Sequence, residues 1–154
     1  MLATMTNEEM KELISVIYPS AVFDETGEWL NMQIDATGWK SFAKMLRNGT
    51  LHLNYLFCLT CIDWKTHLTM VYHLSSTEHR QTIVVKVKLD RDDAQIDTVS
   101  DIWRTAEFHE REVYDLFGVR FINHPDLRRL ILTDDFEGYP LRKDFDDPIN
   151  MIKL

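Results

Sequence analysis

Cys58 and Cys61 form a C-x-x-C pair, the spacing that a thiol oxidoreductase or half of a metal centre would use. Their setting argues against both chemistries. The residues around them read as a β-strand, in which positions three apart point to opposite faces and lie about 10 Å apart at ~3.3 Å per residue, beyond disulfide reach. A thioredoxin-type pair opens a helix, whose dipole lowers a thiol pKa, and no helix is expected here. A four-coordinate zinc site would have to recruit His52, His67 or His73. Both cysteines therefore read as structural.

A second concentration of reactive groups runs from Glu107 to Asp115, where Glu107, Glu110, Glu112 and Asp115 surround His109 and Arg111. A zincin helix needs a second histidine where this chain has Val113, and a di-iron bundle needs a Glu-x-x-His that the chain lacks. The simpler reading is ionic: Arg111 sits among these carboxylates, and Arg128, Arg129, Arg142 and Lys143 follow. Ion pairs between this segment and basic residues of the tail, or of a partner, are expected. If buried, they would contribute specificity more than net stability. The five glycines are too scattered for a nucleotide-binding loop, and no G-x-S-x-G elbow occurs. His52, His67, His73 and His79 show no convergent spacing. No catalytic, metal or cofactor residue is assigned.

The elements that would position these groups follow from periodicity. Thr6 and Glu9 form a capping box ahead of Met10, Leu13, Ile14 and Ile17, which recur at helical spacing. Residues 21–23 and 29–34 flank a polar turn and predict a hairpin. Trp39, Phe42, Ala43 and Leu46 predict a second helix closed by Gly49. From Tyr55 to Leu89 the period becomes two, and the polar links at 63–66 and 75–79 are short enough to demand antiparallel neighbours. After Asp97, the spacing of Val99, Ile102, Trp103, Ala106, Val113 and Phe117 predicts a third helix ending at Gly118, with a possible break near Thr105.

The predicted fold is α+β: a mostly antiparallel sheet with helices on one face, followed by an extended, irregular C-terminal tail. The expected division is a domain over 1–117 and a tail over 118–154. The tail has three prolines and no sustained period, with at most a short helix near Pro125, yet it carries Phe121, Ile122, Leu127, Leu130, Ile131, Leu132, Phe136, Tyr139, Leu141 and Phe145. Those apolar groups need a surface to cover, which points to docking on a partner.

Composition bounds the partners. Seventeen Lys and Arg against 25 Asp and Glu give a net charge of −8, which repels a phosphate backbone, so nucleic acid is not expected. The apolar run at 51–62 is interrupted by His52 and Asn54 and falls short of the roughly 20 residues of a membrane span. Glu8, Glu9 and Glu12 stand where a secretory signal would be basic and then apolar. With two cysteines, the expected compartment is the cytosol.

Three blocks carry a resemblance. Glu110-Arg111-Glu112-Val113-Tyr114-Asp115-Leu116-Phe117-Gly118, His124-Pro125-Asp126-Leu127-Arg128-Arg129-Leu130-Ile131 and Glu137-Gly138-Tyr139-Pro140-Leu141-Arg142-Lys143-Asp144-Phe145 resemble, in this order, the hallmark of the small hydrophilic C subunit of proton-pumping NADH:quinone oxidoreductases of the complex I type. Asn123 stands where the family commonly has glycine, and Tyr139 where it commonly has histidine. The resemblance implies a non-catalytic subunit of the peripheral arm that takes part in enzyme activity only within the complex. FMN, iron–sulfur clusters and quinone would belong to partner subunits. The implied partners are the quinone-reducing D subunit and neighbouring iron–sulfur subunits, on the cytoplasmic side of the inner membrane. Arg128, Arg129, Arg142 and Lys143 would make charge-assisted contacts, with His124, Asp126 and Asp144 beside them, while Glu110, Arg111, Glu112 and Asp115 fix where the tail departs. A homologous subunit of a membrane-bound hydrogenase, or of a ferredoxin- or deazaflavin-dependent quinone reductase, is the alternative.

Overall fold

The computed structural model describes residues 4–151. Helix α1 (Asn7–Ile17) begins with the expected capping box: the Glu9 N–H donates to the Thr6 hydroxyl at 3.2 Å and the Thr6 N–H donates to the Glu9 carboxylate at 2.8 Å. Strands β1 (Val22–Asp24) and β2 (Leu30–Asp35) form the predicted antiparallel hairpin. A short 3₁₀ turn (Ala36–Gly38) leads into α2 (Trp39–Asn48), which has no side-chain cap. Its stability must come from Trp39, Phe42, Ala43 and Leu46, which are fully buried. Each of the larger three contributes about 1.5–3 kcal/mol relative to exposure.

Strands β3 (Tyr55–Asp63), β4 (His67–Ser75) and β5 (Thr82–Asp90) form an antiparallel meander, as the short links require. The five-stranded sheet has the order β1-β2-β5-β4-β3, and β2 pairs with β5 in parallel. Strands β2 and β3 thus run the same way, which the helical crossover through α2 makes possible. Alternate residues point into one core: Leu30, Met32 and Ile34; Leu59 and Cys61; Leu68, Met70, Tyr72 and Leu74; Ile83, Val85, Val87 and Leu89. Met10 and Ile14 of α1 and the α2 side chains fill the same core.

The two helix-closing glycines serve different ends. Gly49 has extended backbone, and a Cβ there would lie 2.5 Å from the Met45 carbonyl oxygen, so its requirement is close approach. Gly118 closes α3 (Ala106–Phe117) at φ +75, the left-handed cap expected of a helix end.

Three expectations are corrected. The segment from Val99 to Thr105 forms turns and α3 starts at Ala106, because side chains there are drawn to the β3 end of the sheet: the Trp103 indole donates to the Leu53 carbonyl at 2.8 Å and the Thr105 hydroxyl to the Leu56 carbonyl at 2.7 Å. No helix forms at Pro125; the Asp126 N–H closes a turn on the His124 Nδ1 at 3.0 Å. Beyond Gly118 the chain first returns to the core, where β7 (Arg120–Ile122) pairs in parallel with β6 (Gln95–Asp97) and Val119 and Phe121 are buried. Strands of three residues are too short to leave a periodic signal.

Candidate functional site

The arm after β7 is irregular but held at three anchors, each made by a buried carboxylate or guanidinium. The first is Asp115 on α3, whose side chain is fully buried. Its Oδ2 accepts the N–H groups of Leu130, Ile131 and Leu132 at 3.2, 2.7 and 3.0 Å, and its Oδ1 accepts Arg129 Nη1 at 2.9 Å. Burial works to raise the carboxyl pKa, but these bonds to the charged form outweigh it and hold it below the usual carboxylate range. Arg129 also donates to the carbonyls of Asp115, Phe136 and Gly138 and stacks over the rings of Phe136 and Tyr139. Nearly every donor of this guanidinium is spent inside the chain.

Arg111 is the second anchor. It lies buried on α3, with Phe108 5.5 Å from its guanidinium, and donates to the carbonyls of Arg128 at 3.2 Å and Arg129 at 3.1 Å.

The third anchor lies at the tip of the β3–β4 hairpin. Asp63 continues the inward alternation of Leu59 and Cys61 and is 4% exposed, a buried acid. Burial opposes its ionisation, yet hydrogen bonds from Arg91 and from the Lys143 and Lys65 N–H groups hold its pKa far below the ordinary value. The Lys143 N–H reaches it at 2.7 Å, and Arg91 turns its other nitrogen to Asp144 at 2.9 Å. Arg142 donates to the carbonyls of Phe117 at 2.6 Å and Arg91 at 3.2 Å, its guanidinium 5.7 Å from the Tyr139 ring.

The sequence-derived residues fall into two groups. Glu110, Arg111, Asp115, His124, Arg129 and Arg142 are gathered inward, binding arm to domain. Glu112, Asp126, Arg128, Lys143 and Asp144 are exposed, with Arg128 paired to its neighbour Asp126 at 3.0 Å. Sequence reasoning missed Asp63 and Arg91. The signal for Asp63 was available, since the two-residue period of β3 places it on the core face. Nothing local marked Arg91.

Alongside the arm's exposed charges, several large apolar side chains face outward: Leu130 is 39%, Ile131 62% and Leu141 52% exposed, with Phe108 of α3 at 58%. Asn123 has φ 63, the left-handed region where asparagine is among the best-tolerated substitutes for glycine. Cys58 and Cys61 are free thiols, and burial pushes the Cys61 thiol up to about 12. Among the described residues, no group of three or more His, Cys, Asp or Glu is placed to hold a metal ion, and no helix is long and apolar enough to cross a membrane.

Comparison with known proteins places these features in a wider set. Residues 32–149 match the family described as "Respiratory-chain NADH dehydrogenase, 30 Kd subunit". The chain is 50% identical over 111 residues to the fused C/D subunit of the NADH-quinone oxidoreductase of Phocaeicola vulgatus, spanning 71% of this chain and 21% of that protein. It is 42% identical over 118 residues to the C subunit of the NADH-quinone oxidoreductase of Chlorobium phaeobacteroides, spanning 73% and 70%. The match to the corresponding C subunit of Chloroherpeton thalassium covers 46% of that relative, so the chain spans well under two thirds of some relatives. Among solved structures, the trypsin-resistant fragment of Nqo5 superposes with a TM-score of 0.69 at 26% identity, covering 79% of this chain and all of the fragment. A chain of a membrane-bound sulfane sulfur reductase, an archaeal respiratory membrane complex, superposes with a TM-score of 0.74 at 32% identity, covering 90% and 85%.

Proposed function

The chain belongs to the family of the respiratory-chain NADH dehydrogenase 30 kDa subunit, and from that premise we propose that it is a non-catalytic peripheral-arm subunit of a proton-pumping NADH:quinone oxidoreductase. In this reading it seats the quinone-reducing subunit and leaves FMN, iron–sulfur clusters and quinone to its partners, on the cytoplasmic side of the membrane. The observation that carries it is the arm: its backbone at 128–132 and at Lys143 is bound by Asp115, Arg111 and Asp63, while Leu130, Ile131 and Leu141 stay exposed. A pinned arm with exposed apolar side chains is preorganised for docking, since little further ordering is needed on binding. The exposed charged side chains of Glu112, Asp126, Arg128, Lys143 and Asp144 would set register against the partner. Supporting the choice of partner, the Phocaeicola vulgatus relative carries the names of the C and D subunits on one chain.

The test is an Ile131→Asp, Leu141→Asp chain expressed in place of the native one. Expected is loss of the chain from the membrane complex on native gels, with the isolated chain's thermal unfolding midpoint unchanged. Normal assembly refutes the docking role.

A second reading has its own support. The similarity to a chain of the sulfane sulfur reductase favours a related respiratory complex with another electron donor. Purifying the complex from native membranes separates the two: a flavin-bearing NADH module in the preparation supports the first reading, and its absence supports the second.

A further inference from the structure

Glu110 differs from the other buried carboxylates: among the described residues no arginine or lysine pairs with it. Its Oε1 accepts the Val99 N–H at 2.8 Å and its Oε2 accepts the Thr98 hydroxyl, both from the loop leaving β6. His124, in the turn that begins the arm, has a fully buried side chain with Nε2 3.6 Å from that Oε2. Its neighbours fix the tautomer. Nδ1 accepts the Asp126 N–H at 3.0 Å, so Nε2 carries the hydrogen and donates to the Glu107 carbonyl at 2.9 Å.

Other groups near the pair come from each packed element. Lys40 of α2 is paired with Asp101 and donates to the Thr98 carbonyl at 2.6 Å. Tyr72 of β4 offers a buried hydroxyl with no hydrogen-bond partner among the described residues. Glu107 lies on the same helix. Burial dominates, and it pushes the Glu110 carboxyl up to about 7 against the Thr98 and Val99 hydrogen bonds.

We propose that Glu110 works with His124 as a one-proton latch at the joint of α3, the loop after β6 and the start of the arm, closed when the carboxyl is protonated and loosened when it ionises. In the protonated state the carboxyl O–H donates to the Thr98 hydroxyl, which turns to donate to the Ser100 hydroxyl 2.8 Å away. The Glu110 carboxyl, the Thr98 hydroxyl and the Val99 N–H are then all paired, and the carboxyl carries no charge. Ionisation leaves an unpaired negative charge buried 3.6 Å from the His124 Nε2, whose hydrogen is already committed to the Glu107 carbonyl. Relief requires water to enter or the turn to lift, and either loosens the arm.

The folded-state carboxyl binds its proton more tightly than the free group at 4.5, so the stabilisation is complete below that value and lost as pH rises through about 7. The span between the two limits the change in the open-to-closed ratio to roughly 300-fold.

Nuclear magnetic resonance of the full chain between about pH 5.5 and about pH 8.5 tests the latch. The Val99 and Asp126 amide resonances should titrate together with a midpoint near 7, and the Asp126 amide should lose protection beyond the intrinsic base-catalysed rate. Glu110→Gln, which keeps an acceptor for Val99, should flatten both. Absence of a common midpoint, or an unchanged titration in Glu110→Gln, overturns the proposal. Should that variant not fold, the wild-type Glu110 carboxyl carbon shift decides: a midpoint near 7 supports the latch, and one in the ordinary carboxylate range refutes it.

Discussion

Replacing Asp115 with alanine removes one carboxylate on which four donors converge: the N–H groups of Leu130, Ile131 and Leu132, and Arg129. Hydrogen bonds to a charged group contribute about 1.5–3 kcal/mol each. They do not add here, because the freed amides share one acceptor and lie where water can partly reach them. Removal of one partner of a buried pair, about 3–5 kcal/mol, is the better guide to the cost. Asp115→Asn keeps a single carbonyl acceptor and should lose about half as much.

The loss should be local to the arm, so proteolysis is the sensitive assay. Trypsin can cut after Arg128 and Arg129 only when the segment lifts off α3, and cleavage then follows the population of the lifted state. A loss of 3–5 kcal/mol predicts cleavage there at least roughly 100-fold faster in Asp115→Ala at neutral pH. Because the folded carboxyl is held below the free value of 3.8, its stabilisation is present above that pH and disappears as pH falls through the lowered folded value. Wild type and variant should therefore converge in strong acid. Wild-type cleavage rates and an unchanged urea midpoint in Asp115→Ala at neutral pH would refute the anchoring argument.

Two further outcomes follow from the same geometry. At about pH 8 the Cys61 thiol, pushed up to about 12, should resist iodoacetamide in the folded chain while Cys58, also raised but half-exposed, reacts slowly, and Cys58→Ser with Cys61→Ser should leave complex activity intact. Rapid labelling of Cys61 by mass spectrometry would contradict this. Gly118→Ala places a Cβ 2.6 Å from the Tyr139 ring at a φ of +75, so urea unfolding should show a loss of about 2–3 kcal/mol. A loss under about 0.5 kcal/mol would mean the ring is not packed there.

Much of the fold was legible because its signals are local. The Thr6–Glu9 capping box, the alternation through β3, β4 and β5, and the left-handed cap at Gly118 each need only a few consecutive residues. The break near Thr105 is where α3 begins, but the apolar spacing from Val99 to Thr105 reads as helix while long-range bonds from Trp103 and Thr105 to the chain around β3 override local preference. The parallel pairing of β2 with β5 joins residues some fifty positions apart and left no mark on either strand.

The sequence by itself determined the layered α+β fold, the family resemblance and the charge pattern from Glu107 to Lys143. It placed acids on α3 and arginines after it, and it predicted that they would meet in the tail or in a partner. Only the tertiary structure decided which did. Asp115, Arg111 and Asp63 bind the arm's own backbone, so the groups left outward are Leu130, Ile131 and Leu141 together with charges such as Asp126, Arg128, Lys143 and Asp144. Tertiary packing also made Glu110 unlike its neighbours, since an ion's cost depends on which partners reach it once water is excluded, and that depends on how distant segments fold around it.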